Sequence, residues 1–384
     1  MRNHVIRNNM VDGVRSGNLI AIRGQTGRGG DMTTQIASSL DRIGQVLDEL
    51  GAGLADLTKL LVAFDGATGL TDRQVLDLVA RALPAGVVTT ATAVPRLYLR
   101  HPDTLVEIEA VALAGLPRRA VVHEGLVPLP DGLAHGLQAG ELIWLSGLNA
   151  ADRDGQPRHA GDIVAQSHMV MDGLGEVLAR FGADFDDVVK QHRWGSGTPT
   201  HTAWAPAALA CADRYTEPGP VATGIAVPLH YAGGMLIKVE FTAMRGLDGG
   251  RLARRHVWPE GHWDWPIHLP YKHGLRCGDM IFIGGQVSLD PRAEVIAPRD
   301  MQVQTVNTMN NIREVLEQLD AGMGHAMLVT DFYEGANDPA DTARNAAACA
   351  GAFAAPGPAI TMISSTFRGY DGMMTEIEVM ARVD

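Results

Sequence analysis

The sequence predicts an α+β fold made three times over in one chain. A single phrase, an apolar strand running into a glycine and then a polar loop, occurs as SGNLIAIRGQTGRGG, as AGELIWLSGLNAADRDGQPR and as CGDMIFIGGQVSLDPRAEVI. An offset of 138 carries Gly147 to Gly285, Asp162 to Asp300, Gln166 to Gln304, Cys211 to Cys349 and Glu240 to Glu378, with no gap from Gly140 to Met244. An offset of 131 carries Asp31, Gln35, Lys59, Thr92 and Glu109 to Asp162, Gln166, Lys190, Thr223 and Glu240, and one eight-residue deletion after the first strand aligns Gly24 with Gly147. Copies of roughly 130 residues are domains and not turns of a solenoid. The units are expected at 1–116, 117–246 and 247–384.

Each unit reads strand, loop, helix, strand, helix, strand. The first helix of the middle unit starts at Asp162, a good N-cap, and carries Val170, Leu174, Val177, Leu178 and Phe181 at the spacing of one buried face. A central strand follows, as ADLTKLLVAFDG, DDVVKQHRWG or HAMLVTDFYEG. The second helix opens in unit one with Thr71-Asp-Arg-Gln74, the spacing of a capping box. Alternating strands close the unit; in LIKVEFTAM, Lys238 and Glu240 share a face by the period of two. One face of the sheet is therefore expected on the helices and the other on a surface the unit alone does not supply.

Composition bounds the function. The chain has 384 residues, 46% of them hydrophobic and 20% charged, with a formal net charge of −12. Scattered Lys and Arg argue against a nucleic-acid partner. No apolar run approaches the ~18 residues of a membrane span, and the polar opening MRNHVIRNNMVDG lacks the apolar centre of a signal peptide, so the expected location is cytoplasmic. Cys211 and Cys349 occupy equivalent places in different units, which argues for free thiols.

In order and three times over, these motifs resemble the Rid (YjgF-like) family of enamine and imine deaminases. The likeness rests on the strand ends Gly284-Gly285-Gln286 and Ser146-Gly147, the Asp-x-x-x-Gln helix start, and the closing strands Val106-Glu107-Ile108-Glu109 and Thr375-Glu376-Ile377-Glu378. The resemblance implies a chorismate-mutase-like unit, a mixed sheet backed by two helices, three of which assemble with sheets inward, helices outward and ligand clefts between neighbours. Three fused units then read as a single-chain pseudo-trimer, present as a monomer or as a dimer of pseudo-trimers. The expected partner is a small-molecule substrate, with no cofactor and no metal; the spacing of His256, His262, His268 and His273 matches no zinc pattern.

The resemblance also points to chemistry. Deaminating members carry an Arg that grips the substrate carboxylate, and the matching positions here are Ala91, Ala222 and Ile360. The neighbouring hydroxyl persists as Thr92, Thr223 and Thr361, either packing by its methyl or bonding in a cleft. The family's cleft carboxylate corresponds to Glu107, Lys238 and Glu376, and a desolvated Glu there suits a general base or acid. Tyr271 matches the family's cleft Tyr; His273, equivalent to His135, either caps a turn or moves protons; Arg23 stands where it can replace the lost anion grip or form a surface ion pair. His192 and Arg193 alternate on the central strand, so one of them is expected to be structural.

The expected catalytic set is Glu376, Glu107, Tyr271 and His273, with Arg23, Gly285, Gln286 and Thr361 binding substrate. Chemistry is expected to centre on a cleft walled by unit three, which alone has the Tyr, the Gly-Gln pair and the Glu together. The expected activity is hydrolysis or deamination at a C=N, enamine or related C–N bond. Two alternatives stay open: a cyclic-amide hydrolase using Ser146 with Lys238, and a non-catalytic metabolite-binding member.

Overall fold

A computed structural model describes residues 2–96, 103–227, 233–334, 339–365 and 368–383. The chain forms three mixed sheets of six strands with one shared strand order. Unit one contains β1 (Arg2–Arg7), β2 (Met10–Ser16), β3 (Leu19–Thr26), α1 (Met32–Glu49), β4 (Leu57–Asp65), α2 (Asp72–Ala82), β5 (Thr90–Arg96) and β6 (Val106–Leu113). Unit two contains β7 (Arg118–Val121), β8 (Gly136–Ala139), β9 (Leu142–Asn149), α3 (Ile163–Arg180), β10 (Val188–Gly195), α4 (His201–Ala212), β11 (Val221–Ala226) and β12 (Ile237–Met244). Unit three repeats the series as β13 (Arg254–Val257), β14 (Gly274–Cys277), β15 (Met280–Gln286), α5 (Met301–Gln318), β16 (Ala326–Glu334), α6 (Pro339–Ala350), β17 (Ala359–Ser365) and β18 (Thr375–Arg382).

The order in the first sheet is β1-β2-β3-β6-β4-β5. Only β4 and β5 are parallel neighbours, and the helix between them supplies the crossover that a parallel pair requires.

The recurring Asp-x-x-x-Gln motif has a structural cause. Asp31, Asp162 and Asp300 cap the long helices by accepting backbone N–H bonds from the first turn. The glutamine one turn on is buried and clamps the loop that enters the last strand. Gln304 Nε2 donates to Ala297 O and Gly372 O at 2.8 Å, and its Oε1 accepts from Met374 N at 2.7 Å. Gln166 and Gln35 make the same kind of bonds in their own units.

Strand alternation decides what each sheet face covers. Along β3, Ile20 and Ile22 pack with Ile36, Leu40 and Ile43 of α1, while Leu19 and Ala21 turn to a second cluster. That second cluster draws Trp144 and Val189 from unit two and Phe282 and Met327 from unit three. The face left over in the sequence is therefore the contact among units. Contacts run from β5 to β9, from β11 to β15 and from β17 back to β3, which closes a ring.

Ion pairs cross the same faces. Lys59 Nζ lies 2.5 Å from Glu240 Oε1, and Lys190 Nζ lies 2.6 Å from Glu378 Oε1. At the third corner the equivalent residue is Leu328, and Glu109 accepts instead from Thr330 Oγ1 at 2.9 Å. Burial pushes the Glu109 carboxyl above its ordinary range.

Among the described residues no helix is long and apolar enough to cross a membrane. Cys211, Cys277 and Cys349 are buried free thiols.

Candidate active site

Where β3, β9 and β15 run beside the last strand of their sheet, the pairing register shifts around Arg23-Gly24, Ser146-Gly147 and Gly284-Gly285. Such a bulge frees a backbone N–H from the ladder and re-aims the neighbouring side chains. Each freed glycine N–H finds the repeated threonine of another unit. Gly24 N donates to Thr361 Oγ1 at 3.0 Å, Gly147 N to Thr92 Oγ1 at 2.9 Å and Gly285 N to Thr223 Oγ1 at 3.0 Å. Thr361 thus sits at the junction of units three and one, with its hydroxyl on the backbone of Gly24.

The junction of units two and three opens into a cavity. Its polar wall includes Arg193, Thr223, Tyr271, Gln286, Arg368 and Glu376. Glu376, on β18, lies over the bare Gly285, where a Cβ would collide with its carboxylate. The Glu376 carboxyl is pushed up to about 7 by burial, against the pull of Arg368, a bond from the Gly224 backbone and Arg193, and with added repulsion from Glu378. A carboxyl raised in this way is matched to proton transfer near neutral pH.

Tyr271 and His273 enter the cavity wall already engaged. The Tyr271 hydroxyl accepts from Gln191 Nε2 at 3.0 Å, and Gln191 Oε1 accepts from Tyr215 Oη at 2.9 Å. Burial holds the Tyr271 phenol far above its usual value, so it stays protonated. His273 is pushed down to about 3 by burial and by His262. The ring is neutral, with Nε2–H on Trp263 O at 3.0 Å and Nδ1 accepting from Gln286 Nε2 at 3.1 Å. Its equivalent His135 holds a loop in the same way, through Val127 O and His123 N. Both ring nitrogens of His273 are thus taken up within the protein, and through Gln286 the ring meets the strand end beside Glu376.

The other expected residues lie elsewhere. Glu107 covers Gly24 at the junction of units three and one as Glu376 covers Gly285. Arg23, on that side, is held by Asp12 at 2.6–2.7 Å. At the junction of units one and two, Lys238 Nζ bonds Asp72 Oδ2 and Ala93 O, each at 2.6 Å. The Ser146 hydroxyl donates to Ala134 O at 2.7 Å and accepts from Ala91 N at 3.0 Å, so both of its bonds are to backbone.

Sequence reasoning missed Arg368, Trp204 and the place of Arg193 in the cavity, while Trp258, Trp263 and Trp265 belong to the Pro- and Trp-rich stretch that links units two and three. The signal for Arg193 was its alternation with His192. The structure resolves that pair, since His192 is buried against Glu378 and stacked on Trp194 while Arg193 lines the cavity.

Comparisons agree with the geometry. The family model described as Endoribonuclease L-PSP matches residues 266–383. A RutC family protein of Pyrococcus abyssi is 32% identical over 69 residues, 18% of this chain and 54% of that protein. A 2-iminobutanoate/2-iminopropanoate deaminase of Salmonella typhimurium is 28% identical over 69 residues, 18% of this chain and 53% of that protein. The chain thus spans about half the length of the curated relatives it matches. A solved member of the YjgF/YER057c/UK114 family from Mycobacterium tuberculosis is 30% identical and is covered over 100% of its length by 30% of this chain, with a TM-score of 0.27. A chorismatase crystal structure shares the fold across units, at 14% identity, a TM-score of 0.59, and coverage of 85% of this chain and 93% of that one.

Proposed function

The chain belongs to the Rid (YjgF-like) family as three tandem units, and from that premise we infer a hydrolase or deaminase acting on a C–N bond in the cleft between units two and three. The observation that carries this reading is Glu376, a buried carboxyl poised at about 7 in the wall of a cavity. In the reaction the ionised carboxylate takes a proton from water as the oxygen attacks the carbon of a C=N bond, and passes that proton to the nitrogen to give a neutral carbinolamine. The carboxylate then takes the carbinolamine's hydroxyl proton and delivers it to the departing nitrogen, so both protons of the water end on ammonia. A C=O bond forms, the C–N bond breaks and ammonia leaves. A pKa near the working pH serves both halves of that cycle.

Gln286, held by His262, Trp263 and His273, and the protonated Tyr271 fix the shape of the cleft around the reacting group. Ala222 stands in this cleft where deaminating relatives carry their carboxylate-binding Arg, so small imino acids are not the expected substrates.

The test is ammonia release from a panel of cyclic and acyclic imines with wild type and Glu376→Gln. Turnover that Glu376→Gln abolishes supports the reading. Turnover that survives it, or that depends on Ser146 and Lys238, overturns it in favour of the ring-opening amidohydrolase. Tight binding with no turnover of any imine favours a metabolite-binding member.

A further inference from the structure

The cavity between units two and three has two arginines in its wall, Arg368 and Arg193; both act on Glu376 through space, Arg368 the more strongly. The neighbours of Arg193 on β10 are engaged, Lys190 with Glu378 at 2.6 Å and His192 with the same carboxylate at 3.4 Å. The cations at the other junctions are engaged as well, Arg23 by Asp12 and Lys238 by Asp72. Lys272, on the rim of this cavity, is held 2.7 Å from Glu217. Arg193 makes no hydrogen bond and no ion pair among the described residues, although it lines the cavity. A guanidinium beside a cleft with no hydrogen bond or ion pair of its own is open to a carboxylate, which it matches in a planar, two-point geometry.

The space around Arg193 is particular to this one junction. A Cβ at Gly224 would sit 2.8 Å from Arg193 Nη2, and one at Gly195 would sit 3.6 Å from Nη1. By register the Arg193, Gly195 and Gly224 of unit two correspond to Val62, Phe64 and Ala93 in unit one and to Asp331, Tyr333 and Met362 in unit three. Unit two alone has both the guanidinium and the two bare positions that give it room.

The lining of this cavity is also rich in tryptophan. Four of the six tryptophans, Trp204, Trp258, Trp263 and Trp265, line this cavity. Trp204 and Trp263 are fixed through their indole N–H groups, to Gly369 O at 3.1 Å and Gln286 Oε1 at 3.3 Å. Trp265 packs edge to face on both, with centroids 5.3 Å and 4.5 Å apart. An anchored aromatic wall gains little from a three- or four-carbon acid and much from a ring it can cover.

We propose that this cleft receives a planar, ring-bearing carboxylate, with Arg193 taking the carboxylate, the tryptophan wall taking the ring, and the reacting bond directed to Glu376. The proposal rests on the reading of this cleft as the active site, and names the substrate class that the site admits. Arg193 acts here as a specificity residue.

The experiment is a titration of the full chain with benzoate, its neutral isostere benzamide, and acetate, followed by tryptophan fluorescence and checked by calorimetry. Benzoate is expected to bind saturably and about tenfold or more tighter than benzamide, the worth of a charge-assisted pair, and tighter than acetate. Arg193→Gln should erase the preference for benzoate over benzamide, Arg193→Lys should keep part of it, and both should keep a melting temperature near that of wild type, because Arg193 makes no hydrogen bond or ion pair among the described residues. No saturable benzoate binding, equal binding of benzoate and benzamide, acetate binding as tightly as benzoate, or a preference that survives Arg193→Gln would each overturn the proposal. Glu376→Gln separates this from the catalytic reading: it should leave benzoate binding in place while removing turnover. Turnover dependent on Glu376 on uncharged substrates, with no benzoate binding, would sink the proposal and leave the catalytic reading standing.

Discussion

Replacing Glu376 by Gln should stabilise the protein as the pH rises while it abolishes activity. Burial raises the folded-state value of this carboxyl from 4.5 to about 7. The sign follows from linkage: a raised value favours the folded protonated form, so this contribution to stability is fully present below pH 4.5 and is lost as the pH rises toward 7, levelling off above it. A difference of about 2.5 pH units corresponds to about 3 kcal/mol. Glutamine keeps the shape over Gly285 and does not ionise, so the loss is absent in the variant. Urea unfolding of both proteins at pH 4.5 and pH 8 gives the change in their stability difference, in which any contact that glutamine makes at both pH values cancels. The variant should gain about 3 kcal/mol relative to wild type between the two. In parallel, wild-type kcat/KM should rise through about pH 7 as the base ionises. A stability difference that does not change with pH would refute the reasoning, because it would mean that the carboxyl ionises in the fold as it does in the unfolded chain.

Light scattering should give one full chain of 41.0 kDa or a dimer of such chains, since the inner faces of all three sheets are already covered within one chain; a trimer of full chains would count against this. Ammonia release from 2-iminopropionate should be far below that of a control deaminase, because no Arg stands at Ala91, Ala222 or Ile360 and the tryptophan-lined cleft beside Arg193 gains little from so small an acid; a rate near the control would overturn it. Lys59→Met leaves Glu240 buried without its cation and should cost about 3–5 kcal/mol in urea unfolding at pH 7; an unchanged midpoint would show that the pair is not holding units one and two together.

What the sequence disclosed and what it hid divide along the repeat. Positions that agree in all three units were legible, and the structure gives each a mechanical reason. Asp31, Asp162 and Asp300 cap helices, and Gln35, Gln166 and Gln304 clamp the last strand. Thr92, Thr223 and Thr361 take the N–H that each bulge releases. The sequence left those threonines between packing and cleft bonding because it does not show which unit's glycine stands opposite. His273 was open for the same reason: its match with His135 signalled a shared structural duty, and its fall to about 3 depends on burial and on His262, which come only with the fold. Arg193 stayed hidden because alternation along β10 assigns two faces but not which face meets unit three. Agreement among units therefore marks what holds the ring closed, and departure from it marks where chemistry has room to specialise. By that criterion the cleft with Arg193, the tryptophan wall and Glu376 is the one that has moved furthest from its sisters, while the junction of units one and two has spent its lysine on Asp72 and its serine on backbone.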